Sequence, residues 1–464
     1  VKVKSPLEIY KYLPKTNCAE CGYDTCMSFA ANIIERKVKP ADCPFMLEEK
    51  FKDKLMELED LTSPEIKEVV IGVGKNAVTI GGDDVLFRHD LTFFNPTALA
   101  YDVWDTMPLD KLEERINTIK SYTKFYVGNF INLDMIAVRC VSNDPLRFKE
   151  VAEKAAETGL PLILVSFSPE VLRAALESIG NKRPLIYAAT EENWQEIARL
   201  AKEFEVPVVL YSKDLATLQS LAVTFSEMGI QDLVLDPGTE PVGKGLQETF
   251  KRVIQLRRAA IEGGNKKVAY PIMVVPMTAW LIESDKLSTT YWETVVASVF
   301  IVKYADIMIL HSLEPYEVMP LVILKTNIYT DPRKPVAVEG GLRTINSPDE
   351  NSPVFITTNF ALTYYTVESD LVSAGVDCYL LVIDTEGLGV EVSVAGGKLT
   401  ASVIKETIEK EKVTEKINHN SIILPGLAAR LQGELEMETG MKVLVGPVDS
   451  GRIPGWLEEN WPPK

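Results

Sequence analysis

The chain is 464 residues long, 46% apolar and 25% charged, with a formal net charge of −17 at pH 7 and a pI near 4.9. That acidity repels a phosphate backbone, and no basic run interleaved with aromatics offsets it, so nucleic acid is not an expected partner. No run of about 20 apolar residues is present, and the opening VKVKSPLEIYKYLP lacks the apolar stretch of a signal peptide, so the chain reads as soluble and cytoplasmic, with no membrane partner. Single cores stop growing near roughly 250–300 residues, which requires two or more domains.

Residues 1–60 differ from the rest. Four of the six cysteines, Cys18, Cys21, Cys26 and Cys43, fall there in the spacing C-x2-C-x4-C-x16-C, with Pro44 after the last. Cysteine this sparse elsewhere argues for metal over a disulfide scaffold. Four soft thiolates without a nearby histidine suit zinc or an iron–sulfur cluster. Structural zinc usually joins two short cysteine knuckles, whereas here one tight loop supplies three ligands and a distant cysteine the fourth. That spacing favours a 4Fe-4S cluster over zinc, with disulfides last. Met27, Ala30, Ala31, Ile34 and Val38 recur at helical spacing, predicting a helix that lays one face over the metal before Pro40 ends it. The run LEEKFKDKLMELEDL predicts a solvated linking helix that Ser63-Pro64 terminates.

From residue 85 onward, short β-branched runs alternate with helical patterns: VLFRHD (85–90), MIAVRCV (135–141), PLILVSF (161–167), PLIYAAT (184–190), VPVVLYS (206–212), DLVLDP (232–237), YPIMVVP (270–276) and DIMILHS (306–312). Nearly continuous apolar strands flanked by helices imply a parallel sheet. Eight such units predict an α/β fold with a (β/α)8 TIM-like barrel; an open doubly wound sheet fits the same periodicity, but no G-x-G-x-x-G follows the first run. Pro315, Pro320, Pro332 and Pro335 punctuate 313–335, which predicts an interdomain connection. A third unit follows, with PVFITTNFAL (353–362), CYLLVIDTEGLGVEV (378–392), helical LTASVIKETIEKEKV (399–413), SIILPGLAARLQGELEM (421–437) and KVLVGPVDSGRIPGW (442–456). Strand, glycine turn and helix recur as in a small Rossmann-like domain.

With NCAECGYDTCMSFAANIIERKVKPADCPFM, eight barrel-like units and a terminal DTEGLG segment, the sequence resembles the large (gamma) subunit of the corrinoid/iron–sulfur protein. That family comprises the methyl carriers of the acetyl-CoA (Wood–Ljungdahl) pathway and is related to the gamma subunit of archaeal acetyl-CoA decarbonylase/synthase. The resemblance implies a 4Fe-4S cluster domain (1–60), a TIM-like barrel (61–315) and a Rossmann-like domain (316–464) that binds a corrinoid (cobalamin) against a small (delta) subunit in a heterodimer. It implies a methyl carrier that is loaded from methyltetrahydrofolate by a separate methyltransferase and discharges to CO dehydrogenase/acetyl-CoA synthase. The cluster, fed by a low-potential donor such as ferredoxin, would return Co(II) to Co(I). The alternative is a corrinoid-dependent methyltransferase that binds the methyl-pterin in its own barrel.

Many cobalamin domains carry D-x-H-x-x-G, whose histidine ligates cobalt from below. Here Asp384-Thr385-Glu386-Gly387-Leu388-Gly389 places a glutamate at that position, and His419, in the turn KINHNS, reads as a solvated residue. A base-off corrinoid without a protein lower axial ligand follows, and loss of that donor eases reduction to Co(I). The contacts carried over from the family are Thr357 and Thr363, the loop Gly387, Leu388, Gly389 and Val390, and Ser450, Gly451 and Ile453. Each has a plain structural alternative as a strand-end, helix or turn residue. His89 and His311, at the ends of the first and eighth predicted strands, read as structural or subunit-interface residues, and Cys140 and Cys378 as buried small hydrophobes. Because one cobalt must meet donor, acceptor and electron source in turn, the terminal and cluster domains are expected to move.

Overall fold

The computed structural model describes residues 5–126, 129–282, 284–330 and 335–462. Its contacts divide the chain into two units: residues 1–123 with 132–330, and 124–131 with 331–464. No helix among the described residues is long and apolar enough to cross a membrane.

The first unit begins with a small cysteine-bearing module. Thr25 caps the helix Cys26–Ile34 by accepting from Ser28 N. The buried stripe of that helix is Cys26, Phe29, Ala30 and Ile33. Of the expected face Met27, Ala30, Ala31, Ile34 and Val38, only Ala30 belongs to that stripe, and the helix stops four residues short of Val38 because Arg36 turns left-handed at φ +53°. Ile9, Leu13, Met46 and Leu58 complete the module's core, Leu58 being the one buried residue of the charged helix Lys52–Thr62.

Eight parallel strands follow: Ala98–Trp104 (β1), Met135–Arg139 (β2), Leu162–Val165 (β3), Leu185–Ala189 (β4), Val208–Tyr211 (β5), Leu233–Asp236 (β6), Met273–Val274 (β7) and Ile307–Leu310 (β8). They pair in the order β6-β5-β4-β3-β2-β1-β8-β7. The ring closes through a parallel bridge between Leu235 and Ile272, with Leu235 N donating to Pro271 O at 2.8 Å. Alternate residues such as Ala98, Ala100, Met135, Ala137, Val209 and Val234 point inward into one apolar cluster, as barrel interiors require. An antiparallel hairpin, Glu68–Ile71 with Val78–Gly81, adds Val69, Ile71 and Ile80 to that cluster. It bonds to residues just before β4 and β7, Gly72 N to Arg183 O and Lys67 N to Ala269 O, and so plugs the N-terminal end of the barrel. At the other end, Asp144, Ser168, Asp214 and Asp285 accept from first-turn amides of the helices that leave the strands, which fixes the end of each of these loops to the helix it enters.

Two further expectations fail in this unit. VLFRHD is a turn, not a strand; the first barrel strand is Ala98–Trp104, whose alanines and buried Asp102 carry little β-branched signal. His89 therefore lies in the loop leading to β1, 79% exposed at its side chain, and shares no site with His311. Residues 315–328 are not a connection but a helix, Pro315–Ile328, that buries Val318, Leu321, Val322 and Lys325. Pro315 starts it, and side-chain burial sustains it through Pro320.

The second unit is a five-stranded sheet of Gly341–Ile345 (β9), Val354–Thr358 (β10), Cys378–Ile383 (β11), Ser421–Leu424 (β12) and Lys442–Val445 (β13), in the order β9-β11-β10-β12-β13. Only β9 is antiparallel. Ile404 and Leu435 pack on one face of the sheet, and Tyr364, Leu371 and Ile453 on the other. This is the doubly wound, Rossmann-like layout expected for the C-terminal region. Residues 124–131, an excursion from between two barrel elements, also belong here, with Phe125 edge-on to Tyr365 at 5.8 Å.

Candidate functional site

In the second unit β11 lies on one side of β10, and β12 and β13 on the other, so the strand order reverses between β10 and β12. Ligands of such sheets bind beyond the carboxyl ends of the strands at that reversal. A cavity of about 470 Å³ lies there. Thr357 from the end of β10, Thr363 from the helix Ala361–Ser373, Val390, Ser450 and Ile453 all line it. Gly387, Leu388, Gly389 and Gly451 are not among its lining residues.

The loop carrying those glycines has a definite support. The Oδ1 of buried Asn359 accepts from Thr385 N (3.0 Å), Thr385 Oγ1 (3.1 Å) and Gly387 N (3.0 Å), while its Nδ2 donates to Asp384 Oδ1 at 2.9 Å. Gly387 has φ +77°, and a Cβ there would lie 2.9 Å from Pro335 Cβ. Its absent side chain serves the turn itself. The Glu386 side chain, at the position of the ligating histidine in D-x-H-x-x-G, is 69% exposed and paired with Lys398. Ser450 Oγ is bonded to Asp370, fixing the last loop to the helix Ala361–Ser373.

Sequence reasoning missed the other wall, Pro425–Leu427 after β12 and Gly446–Val448 after β13. These loops pack backbone to backbone: a Cβ on Gly426 would lie 2.8 Å from Val448 N and 2.9 Å from Gly446 O. The motifs LPG and VGP, each directly after an apolar strand, were a usable signal, but only the strand order shows that they face one another.

For a corrinoid, the donor set fits: the backbone edge at Gly446, two threonine hydroxyls and apolar walls suit a ring with amide arms. No lining residue is a histidine. His419 is engaged at the opposite end of β12, with Nε2 2.9 Å from Ser352 O and its ring edge-on to Trp461 at 4.8 Å.

In the cysteine module, Cys26 and Cys43 are buried, Cys21 is half-buried and Cys18 exposed. Burial pushes the Cys43 thiol up. Asn17 at φ +49°, Ala19 at +61° and Gly22 at +82° bend the loop between the ligands, and Asn17 Oδ1 accepts from Cys26 N at 2.9 Å. Among the described residues no group of three or more Cys, His, Asp or Glu closes into a metal-holding arrangement. The thiolate chemistry and apolar backing nevertheless fit a cluster.

His311 follows β8 at the C-terminal mouth of the barrel. Its Nδ1 lies 2.9 Å from Oδ1 of Asp102, a fully buried carboxylate that also accepts from Arg115 (2.7 Å) and Arg139 (2.8 Å). Burial raises the Asp102 carboxyl, but His311, Arg115 and Arg139 outweigh it and hold it below the usual range.

A four-cysteine module, a plugged β/α barrel and a Rossmann-like domain define a multidomain protein whose terminal domain carries a cavity at its strand-order reversal. The chain belongs to the CO dehydrogenase/acetyl-CoA synthase delta subunit family, whose model matches residues 68–457. A second model, described as "Putative Fe-S cluster", matches residues 13–45. Over the full length of both chains, the sequence is 63% identical to the acetyl-CoA decarbonylase/synthase complex subunit gamma of Archaeoglobus fulgidus and 56% identical to that of Methanosarcina acetivorans. Among solved structures it is similar to dihydropteroate synthase from Thermus thermophilus, at 14% identity and a TM-score of 0.40, covering 55% of this chain and 99% of that one.

Proposed function

We propose that this chain is a methyl-carrying subunit, with a base-off corrinoid in the cavity between β10 and β12 and a 4Fe-4S cluster on Cys18, Cys21, Cys26 and Cys43. The cavity at the strand-order reversal carries this conclusion. When bound, the corrinoid would supply the cobalt that takes a methyl group from methyltetrahydrofolate through a methyltransferase and yields it to acetyl-CoA synthase, and the cluster would supply the electron that reactivates oxidised cobalt.

The chain's own part is to hold and to shield. Thr357 and Thr363 offer hydroxyls to amide arms, while Val390, Leu427 and Ile453 exclude water from the walls. Asn359 fixes the loop 384–389 from beneath, which positions Gly389 and Val390 without side-chain contact from Gly387 or Leu388. With Glu386 turned outward and His419 bound elsewhere, no imidazole is supplied from this wall. Leu362, 55% exposed, and Val448, 70% exposed, rim the cavity and offer the apolar surface against which a small (delta) subunit would close. The exposed Cys18 marks the side from which a low-potential donor such as ferredoxin would reach the cluster.

Cobalt, iron and the visible spectrum of anaerobically purified protein with its small subunit provide the test. Gly426→Val should lose cobalt and the corrinoid bands yet keep its iron. Full cobalt in that variant, or nitrogen hyperfine splitting from an imidazole on cobalt, would overturn the assignment. Rapid demethylation of methyltetrahydrofolate without added methyltransferase would instead favour a methyl-pterin site in the barrel.

A further inference from the structure

We propose that the mouth of the barrel binds a small oxyanion, a phosphate or carboxylate group, between Nε2 of His311 and Nη1 of Arg115. None of these residues takes part in holding the corrinoid or the cluster, so the inference stands apart from the function proposed above.

The imidazole has one state imposed on it. Ionised Asp102 can only accept, so the hydrogen of a neutral His311 sits on Nδ1, 2.9 Å from that carboxylate, and Nε2 is left free. The ring is clamped. Trp280 meets it edge-on at 4.5 Å and Trp104 packs at 5.5 Å. Trp280 Nε1 in turn donates to Glu293 Oε2 at 2.8 Å, and the backbone amides of His311 and Ser312 donate to the same carboxylate at 2.7 and 3.1 Å. Arg115 is anchored through Nε to Asp102 O (2.6 Å) and through Nη2 to Asp102 Oδ1 and His311 O. Among the described residues neither His311 Nε2 nor Arg115 Nη1 bonds to a protein group, and the His311 side chain remains 22% exposed.

Both groups open onto a cavity of about 230 Å³ whose lining includes Lys286, Ser312 and Glu314. That volume is several times the ~30 Å³ of one water molecule. The cavity lies between the loops after β7 and β8, the part of β/α barrels that commonly receives phosphate groups.

Charge accounting favours an anion that arrives with a proton. Asp102 is answered by Arg115 and Arg139, and Lys286 is paired with Glu314 at 2.6 Å. Glu317 faces Glu293; burial and that neighbour push its carboxyl up to about 10, so the two share a single negative charge. With His311 neutral the cluster is balanced. A proton taken from solvent on Nε2 adds a positive charge facing the cavity, which a bound oxyanion neutralises, so binding should tighten as pH falls.

The chain contains only three histidines, which makes the test direct. Full-length protein labelled with ¹⁵N-histidine, its signals assigned with His89→Gln, His311→Gln and His419→Gln, is titrated with inorganic phosphate and, separately, with acetate at constant ionic strength. The expected result is a saturable shift of His311 Nε2 alone, with Nδ1 staying protonated and the His311 titration midpoint rising; the tighter of the two probes identifies the source of the oxyanion. Arg115→Lys, which keeps the charge, should weaken binding about tenfold by losing the planar donor fork. Unmoved His311 signals with both probes, equal shifts at all three histidines, or a hydrogen on Nε2 in the free protein would each overturn the assignment.

Discussion

Arg257 is fully buried, with Nη1 3.0 Å from Asp83 Oδ2 and Nη2 2.6 Å from Asp306 Oδ2. One guanidinium cannot neutralise two buried carboxylates. Burial pushes Asp83 up to about 7, Arg257 opposing and Asp306 adding to the rise. An unfolded aspartate titrates near ~3.9. Between roughly pH 4 and 7 the folded chain thus holds a proton that the unfolded chain has released, so this site's contribution is fullest below pH 4 and falls as pH rises through 7. Asp83→Asn should flatten that slope, seen as a smaller change in denaturation midpoint between pH 5 and 7 than the unaltered chain shows. Arg257→Met should cost about 3–5 kcal/mol by leaving two buried carboxylates without their counter-charge, measured by urea unfolding. Asp102 works in the opposite sense: its depressed pKa gives stability above the unfolded value that is lost as pH falls through the folded one.

At the scale of elements, the loop 384–389 depends on one side chain. Asn359→Ala leaves the amides of Thr385 and Gly387 without their acceptor, a loss of about 1–3 kcal/mol for each buried donor. Cobalt content should fall with it, while iron is retained. Pro320 sits inside the helix Pro315–Ile328, and Pro320→Ala should raise the free energy of unfolding by up to ~3 kcal/mol, measured by urea denaturation. Seven of the eight barrel strands were legible because buried parallel strands are continuous apolar runs. β1 was not: ALAYDVW spends its inward positions on alanine and on Asp102, whose burial makes sense only once Arg115, Arg139 and His311 surround it. The helix from Pro315 escaped for a related reason, since proline content outweighed a periodicity that only packing reveals. In the terminal cavity, Thr357, Thr363, Val390, Ser450 and Ile453 were readable from family resemblance, but the Pro425 and Gly446 walls needed the strand order, which no local pattern encodes.

Over the whole first unit, Arg36 joins the cysteine module to the segments that precede the barrel. It bonds Gly82 O and Asp84, lies 3.7 Å from Glu68 Oε1, and rests over the Phe94 ring at 4.1 Å. Arg36→Ala should loosen the module without unfolding it, read as faster proteolysis in residues 60–67 at unchanged iron content. That residue lay just past a helix expected to continue, so its role was hidden by the missed helix end. Equally illegible was the excursion 124–131, whose allegiance to the second unit is a matter of tertiary contact alone.

The hairpin from Glu68 to Gly81 stoppers one end of a barrel whose interior is already filled with apolar side chains, so nothing threads through it. Whatever settles beside His311 stays at the rim and must leave the way it came. A bulky molecule parked on that lip would therefore shut in an occupant as effectively as it bars a newcomer.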